Sequence, residues 1–284
     1  MAPDVAVTIR TLIDDGAAVL AAAGVPSPRR EALAIWSTLS DGEPGAGVLD
    51  GDRPVGSRGD PFHEAVTRRA TGEPLAHVVG YAGFRHLVLV SDSRALIPRP
   101  ETEGLADLLL SVLRTGSVAD IGTGTGCLAL SLATEGAFSD VVATDNSPAA
   151  LTLARENRDR CGTGVSLVRG DLCAPLRRAS FDALVSNPPY LTAEEYAALD
   201  PSVRDWEPRE ALVGGADGLG PITRILIEGR EVLRAGGWLA MEVDCLRAAE
   251  CATRAGALGW SDVAIHADLF GRERYLLARR SDRP

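Results

Sequence analysis

The residues best suited to chemistry in this chain lie in Ser186-Asn187-Pro188-Pro189-Tyr190. The apolar run Phe181-Asp182-Ala183-Leu184-Val185 leads into them and reads as a buried parallel strand, because its apolar residues are consecutive instead of alternating. Each proline lacks a backbone donor and fixes φ, so the ladder stops and a rigid loop begins. Open α/β sheets place their ligands at such carboxyl ends of strands. Asn187 brings a side-chain carbonyl acceptor, the Pro188 carbonyl has no ladder partner, and Tyr190 brings a flat aromatic face. Two acceptors and a platform suit a planar NH2 group that has to be held and aimed. Taken alone, the same residues also suit a proline-capped loop without a chemical role.

A second cluster lies upstream. Val118-Ala119-Asp120-Ile121 reads as a short buried strand, Gly122-Thr123-Gly124-Thr125-Gly126 as a turn, and Cys127 to Thr134 as a helix. Strand, glycine turn and helix let backbone come close to a nucleotide-like ligand. The spacing is G-x-G-x-G and not the dinucleotide G-x-G-x-x-G, and Asp120 stands just ahead of it. A carboxylate there disfavours a phosphate at the helix N-terminus. It favours a cationic ligand such as a sulfonium amino acid, which points to S-adenosyl-L-methionine. The strand Asp140 to Thr144 ends at Asp145, about 20 residues on, where a carboxylate can accept from both ribose hydroxyls. Asp171 follows the strand Val165 to Val168 and Gly170; it suits either an acceptor for an adenine amino group or an ordinary turn residue.

The elements that must position these residues follow from periodicity. From residue 96 to 284 strands and helices alternate, which predicts a doubly wound, mostly parallel α/β sheet. Helices are expected over Gly104–Leu113, Asn146–Asp159, Ala193–Leu199, Pro221–Arg234 and Leu246–Ala257. Trp238–Val243 reads as a further strand, with Val263–His266 and Tyr275–Arg279 as a closing pair. Leu96 to Glu103 reads as a stiff extended lead, since its two prolines stand one residue apart. A linking segment, 76–95, contains the alternating stretch Val78–Val90 and predicts a hairpin. Residues 1–75 predict a small helical domain. Its periodicity over Val7–Leu39 breaks at Gly24-Val25-Pro26, with Ser27 as a candidate N-cap. Asp41–Asp60 reads as a loop, and a helix over Pro61–Ala70 begins with proline at its first position.

Composition excludes several function classes. An apolar fraction of 45% with 24% charged residues is that of a soluble globular protein. The net charge of -10 lacks the basic footprint of a nucleic-acid binder, so no direct nucleic-acid partner is expected. Every basic residue is Arg, which reads as coding bias. The five cysteines form no C-x-x-C pair and suit reduced thiols, not a disulfide framework or a metal site. No stretch approaches the roughly 20 apolar residues of a membrane span. Ala17 to Val25 is apolar but follows Asp14-Asp15 without a basic leader. A cytoplasmic location without membrane contact is the expectation.

The motifs resemble the release-factor glutamine methyltransferases, class I S-adenosylmethionine enzymes that methylate the N5 amide of a protein glutamine. The resemblance rests on Ile97-Pro98-Arg99-Pro100-Glu101-Thr102-Glu103, the Asp120-to-Gly126 turn, Asn187-Pro188-Pro189-Tyr190, and Glu207-Pro208 with the glycine-rich loop after it. It runs from about Thr71 to the C-terminus, and the first 70 residues match poorly. It implies a class I methyltransferase fold, a Rossmann-like sheet with a small N-terminal helical domain that docks the protein substrate. It implies that Asn187 and the Pro188 carbonyl bind the glutamine amide, that Pro189 belongs to the same substrate loop, and that Tyr190 packs against the amide. It also places cofactor contacts on the glycine turn, Asp145, Asn187 and the position of Leu172. Departures are an aliphatic Leu172 where the family often has an aromatic, and Asp244 and Arg247 where a Gly and a Gln are usual after Glu242.

The expected function is therefore methyl transfer to the Gly-Gly-Gln glutamine of a peptide chain release factor. The alternative is a paralogous N-methyltransferase acting on a small molecule of specialised metabolism. An adenine methyltransferase conflicts with the acidic balance, and a nicotinamide dehydrogenase conflicts with the glycine spacing and leaves Asn187-Pro188-Pro189-Tyr190 idle. A catalytically silent cofactor-binding module conflicts with the intact Asn187 and Tyr190.

Overall fold

The computed structural model describes residues 7–40 and 51–281, which fall into two compact units. The smaller takes residues up to Gly80 together with Pro201–Trp206; the larger takes Tyr81–Asp200 and the rest from Glu207.

The smaller unit is helical: α1 (Ile9–Ala22), α2 (Pro28–Leu39), α3 (Gly59–Ala70), α4 (Leu75–Val79) and the short α9 (Pro201–Arg204). Leu12, Ile13, Leu20, Ile35, Trp36 and Phe62 form its core, and the Trp36 and Phe62 rings meet edge to face with centroids 6.2 Å apart. Gly16 is what lets α1 and α3 close up, since a Cβ there would lie 2.7 Å from the Phe62 ring. Ser27 stands at the N-cap of α2 but its side chain makes no capping bond. The helix expected over Pro61–Ala70 starts two residues earlier, at Gly59, after a 3-10 turn over Gly56–Arg58. Pro61 still falls within the first turn, where no N–H is missed. The expected Asp41–Asp60 loop lies outside the described residues as far as residue 50. From 51 on it covers α1: Gly51 and Arg53 carbonyls accept from the free Arg10 and Ile9 amides.

The larger unit opens with the hairpin β1 (Tyr81–Phe84) and β2 (Leu87–Val90). The start of the alternating stretch, Val78–Val79, is instead the end of α4, closed by Gly80 at φ 81°. The main sheet follows with β3 (Thr115–Ile121), β4 (Ala137–Asp145), β5 (Ser166–Arg169), β6 (Phe181–Ser186), β7 (Leu233–Glu242), β8 (Trp260–Ala267) and β9 (Glu273–Arg280). Its order is β5-β4-β3-β6-β7-β9-β8, parallel up to β7, with β9 antiparallel to both of its neighbours. Helices α5 (Pro100–Val112), α6 (Cys127–Glu135), α7 (Pro148–Cys161), α10 (Gly220–Val232) and α11 (Ala248–Ala257) cover the faces; α8 (Ala193–Ala197) follows β6. Helix α5 takes in Pro100-Glu101-Thr102-Glu103, which sequence alone reads as an extended lead. Proline at its first position and two acids in its first turn suit a helix N-terminus. Separate apolar clusters pack the two faces of the sheet, one around Leu184, Leu239 and Met241, the other around Val118, Ala183 and Val185. This is the doubly wound, mostly parallel architecture of a class I methyltransferase.

Candidate active site

The strand order reverses between β3 and β6, and there the carboxyl ends of both strands stand side by side with Ile121 opposite Ser186. The Ser186 hydroxyl donates to the Ile121 carbonyl at 2.7 Å and ties the two ends together. The glycine turn therefore begins beside Asn187. On its other side Ile121 pairs with Thr144, and Asp145 pairs with Arg169, which sets the remaining loops along the same edge.

A cavity of about 430 Å³ opens over this edge. Gly122, Thr123, Gly124 and Thr125 line it, as do Asp145, Asp171, Leu172, Asn187, Pro188 and Pro189. Gly122 (φ 73°) and Gly124 (φ 57°) take left-handed backbone, and a Cβ on Gly122 would meet nothing within 4 Å. The turn thus leaves its own surface open for a ligand. Asp145 accepts from the Gly124 amide through one oxygen and the Ser147 amide through the other, each at 2.9 Å. Burial raises its pKa and these backbone donors oppose the shift. Asp171 is exposed and forms an ion pair with Arg224 at 2.8 Å. Leu172 sits in left-handed backbone (φ 49°), and its carbonyl accepts from the Thr144 hydroxyl.

Three of the expected site residues do not line the cavity. Asp120 is buried below the turn, where its Oδ2 accepts from the Thr123 hydroxyl at 2.6 Å and the Ala129 amide at 3.2 Å. Its other oxygen is buried without a hydrogen-bond partner. Burial pushes this carboxyl up to about 7 despite the donors on Oδ2. Gly126 caps α6 at φ 87°, against Leu130. Tyr190 packs against the core, and its hydroxyl lies 3.4 Å from Glu242 because a buried phenol needs a partner.

Asn187 itself is half-buried on the cavity wall. Its Nδ2 donates to the Thr102 hydroxyl at 3.0 Å, and Thr102 donates to Glu242 at 2.7 Å. Among the described residues no backbone N–H reaches the Pro188 carbonyl. A glycine loop presses on the same motif from outside: Cβ atoms on Gly214 and Gly218 would lie 2.4 Å from the Pro189 carbonyl and 2.3 Å from that of Tyr190.

Sequence comparison agrees with this geometry. The profile of the methyltransferase small domain matches residues 102–200, and that of the PrmC N-terminal domain matches residues 11–80. The release factor glutamine methyltransferase of Deinococcus radiodurans is 40% identical, over 96% of this chain and 99% of its own length. The one from Mycolicibacterium smegmatis is 38% identical, over 96% of this chain and 98% of its own. The chain belongs to the release factor glutamine methyltransferase family. A methyltransferase structure from Pyrococcus furiosus shares the fold, with a TM-score of 0.54 at 24% identity over 68% of this chain and 88% of that one.

Membership makes the protein a methyltransferase, and family and fold together imply S-adenosyl-L-methionine as its methyl source. The residues present fit that group: an open glycine turn, a carboxylate at the end of β4, and a buried acid beneath. Membership also corrects one expectation. The N-terminal residues match the family over 11–80, so the poor match expected there does not hold. The small-molecule alternative leaned on that mismatch and is not favoured.

The sequence motifs name Thr102, Glu207 and Glu242 without giving them a role, and do not name Asn157 at all. Thr102 and Glu242 are both buried and stand behind Asn187. Glu207, also buried, accepts from the Ile97 amide at 2.9 Å and pairs with Arg99, which gives two of the family motifs a shared purpose at the cavity wall. Asn157 of α7 bonds the Val90 amide and carbonyl and the Thr125 carbonyl, and so braces the glycine turn. A buried Asn within an amphipathic helix is the one signal in sequence that marks it. Arg247 pairs with both Asp244 and Glu195, so the two departures after Glu242 compensate one another through an ion pair.

Proposed function

We propose that this protein transfers a methyl group from S-adenosyl-L-methionine to the N5 amide of the Gly-Gly-Gln glutamine in a peptide chain release factor. The observation that carries the reading is the pair of acceptors, Asn187 Oδ1 and the Pro188 carbonyl, which no donor meets among the described residues, on the cavity wall beside the glycine turn. The activity for which the family is named supports the acceptor. S-adenosyl-L-methionine supplies an electrophilic methyl group when bound. Gly122 to Thr125 and Asp145 hold it in this reading, with Asp145 toward the ribose, Asp171 and Leu172 toward the adenine, Asp120 acting through Thr123, and Gly126 capping α6 behind the turn.

The chain's own residues do the rest. An amide nitrogen is a poor nucleophile, because its lone pair is delocalised into the carbonyl. Asn187 and Pro188 take one hydrogen each and so aim that nitrogen. Holding a near-attack geometry of this kind lowers a barrier by about 7–11 kcal/mol when well aligned. No strong base is needed, since the methylated amide loses its extra proton readily. Pro189 stiffens the loop, and Tyr190 braces it from the core side. The helical unit up to residue 75 is assigned the docking of the protein substrate.

The test is transfer of labelled methyl to a purified bacterial release factor, with a Gln→Ala control in its tip. Label on the wild-type factor alone is the expected result; no label with cofactor binding intact defeats the reading.

A further inference from the structure

The chain of hydrogen bonds behind Asn187 has a direction, and that direction selects the substrate. Glu242 lies 2% exposed at the end of β7 and receives the Thr102 hydroxyl on Oε2 at 2.7 Å and the Tyr190 hydroxyl on Oε1 at 3.4 Å. Both Glu242 oxygens are engaged as acceptors; burial raises its pKa, and the Thr102 hydroxyl and the Arg274 guanidinium 3.7 Å away act against that shift and favour the carboxylate. Thr102 has one proton, and Glu242 takes it. The Thr102 oxygen is left with lone pairs only, so the part of the Asn187 carboxamide that faces it must be the NH2. That bond is the 3.0 Å contact from Nδ2. The amide is planar, so its carbonyl oxygen points the other way, where no protein donor meets it among the described residues.

Resting on the acceptor reading above, we propose that Thr102 and Glu242 are positioning residues that lock the Asn187 carboxamide with its carbonyl toward the cavity. The site then accepts a group that offers N–H hydrogens and rejects one that offers only oxygens. An Asn on an unrestrained loop has no such preference, because its two ends are nearly equal in size and differ only in hydrogen bonding. The same side chain anchors Tyr190, so one buried carboxyl group, through Thr102 at one end and directly at the other, supports both ends of Asn187-Pro188-Pro189-Tyr190.

The test uses Thr102→Val, which keeps the shape and removes the hydroxyl, beside Thr102→Ser, which keeps the hydroxyl. The chain has three asparagines, Asn146, Asn157 and Asn187. With isotope-labelled asparagine, the Asn187 side-chain signal is therefore assigned by its loss in Asn187→Ala. Solvent exchange of that NH2 is expected to be at least about tenfold faster in Thr102→Val than in wild type or Thr102→Ser, as an amide hydrogen loses its buried partner. In transfer to a release factor, Thr102→Val lowers kcat by about tenfold to a hundredfold, with cofactor affinity by calorimetry unchanged within about twofold, and Thr102→Ser recovers most of the rate. Equal exchange in wild type and Thr102→Val overturns the lock, and so does a Thr102→Ser variant as slow as Thr102→Val. If the wild type transfers nothing to a release factor, the acceptor reading fails by itself, and the exchange measurement still decides the lock.

Discussion

Burial raises the pKa of both Asp145 and Asp120, but only Asp145 faces the cavity. Asp145 stands on the cavity wall with backbone donors on each oxygen. Asp145→Ala is expected to weaken S-adenosyl-L-methionine binding by about tenfold to a hundredfold, the value of one charged hydrogen bond at about 1.5–3 kcal/mol. Calorimetry checks this, and unchanged affinity contradicts the ribose assignment. Asp120 has its carboxyl raised by burial from 3.8 to about 7. A raised pKa means that the folded state binds the proton more tightly than the unfolded chain. The resulting stability is full below about pH 4 and is lost as pH climbs through about 7. Asp120→Asn has no such proton to lose. Without cofactor, its thermal midpoint relative to wild type should rise as pH increases from 4 to 7 and then level off. A difference that stays flat with pH rules out a raised Asp120.

At the scale of elements, the glycine loop after Glu207-Pro208 is a brace. Gly218 takes φ 72°, and a Cβ there would sit 2.3 Å from the Tyr190 carbonyl oxygen, which is backbone and cannot swing aside. Gly218→Ala should therefore cost about 1–3 kcal/mol of stability by overpacking, read by urea unfolding. It should slow transfer while leaving cofactor affinity in place, since the glycine turn is held separately by Asn157 and Asp145. Equal loss of both would tie the brace to the cofactor instead.

What could be read from sequence follows the range of the interactions involved. The glycine turn, the strand ends and the stop at Asn187-Pro188 depend on neighbouring residues, and their type and order were legible. Element boundaries were less so: β4 begins at Ala137 instead of Asp140 because its first residues pair with Thr115 and Gly116 of β3. That Thr102 and Glu242 stand behind Asn187 was not legible. Thr102 is 85 residues from Asn187 and 140 from Glu242, and only the closed sheet brings them together. Tyr190 reads in sequence as an aromatic platform, and the Glu242 partner of its hydroxyl, 52 residues on, appears only in the fold.

The chain falls into two compact units, a methyltransferase sheet to which the proposal assigns cofactor and amide and a helical unit to which it assigns the protein substrate. The net charge of -10 sits with a protein acceptor better than with a nucleic acid. The most direct measurement is peptide mapping of a bacterial release factor by mass spectrometry after incubation with S-adenosyl-L-methionine and either wild type or Asn187→Ala. The account predicts a single methyl on the side-chain amide of the tip glutamine with wild type. With Asn187→Ala the same peptide should be modified at least about a hundredfold more slowly, while calorimetry finds cofactor affinity nearly intact. Methylation at another residue, or an Asn187→Ala variant as active as wild type, would contradict it.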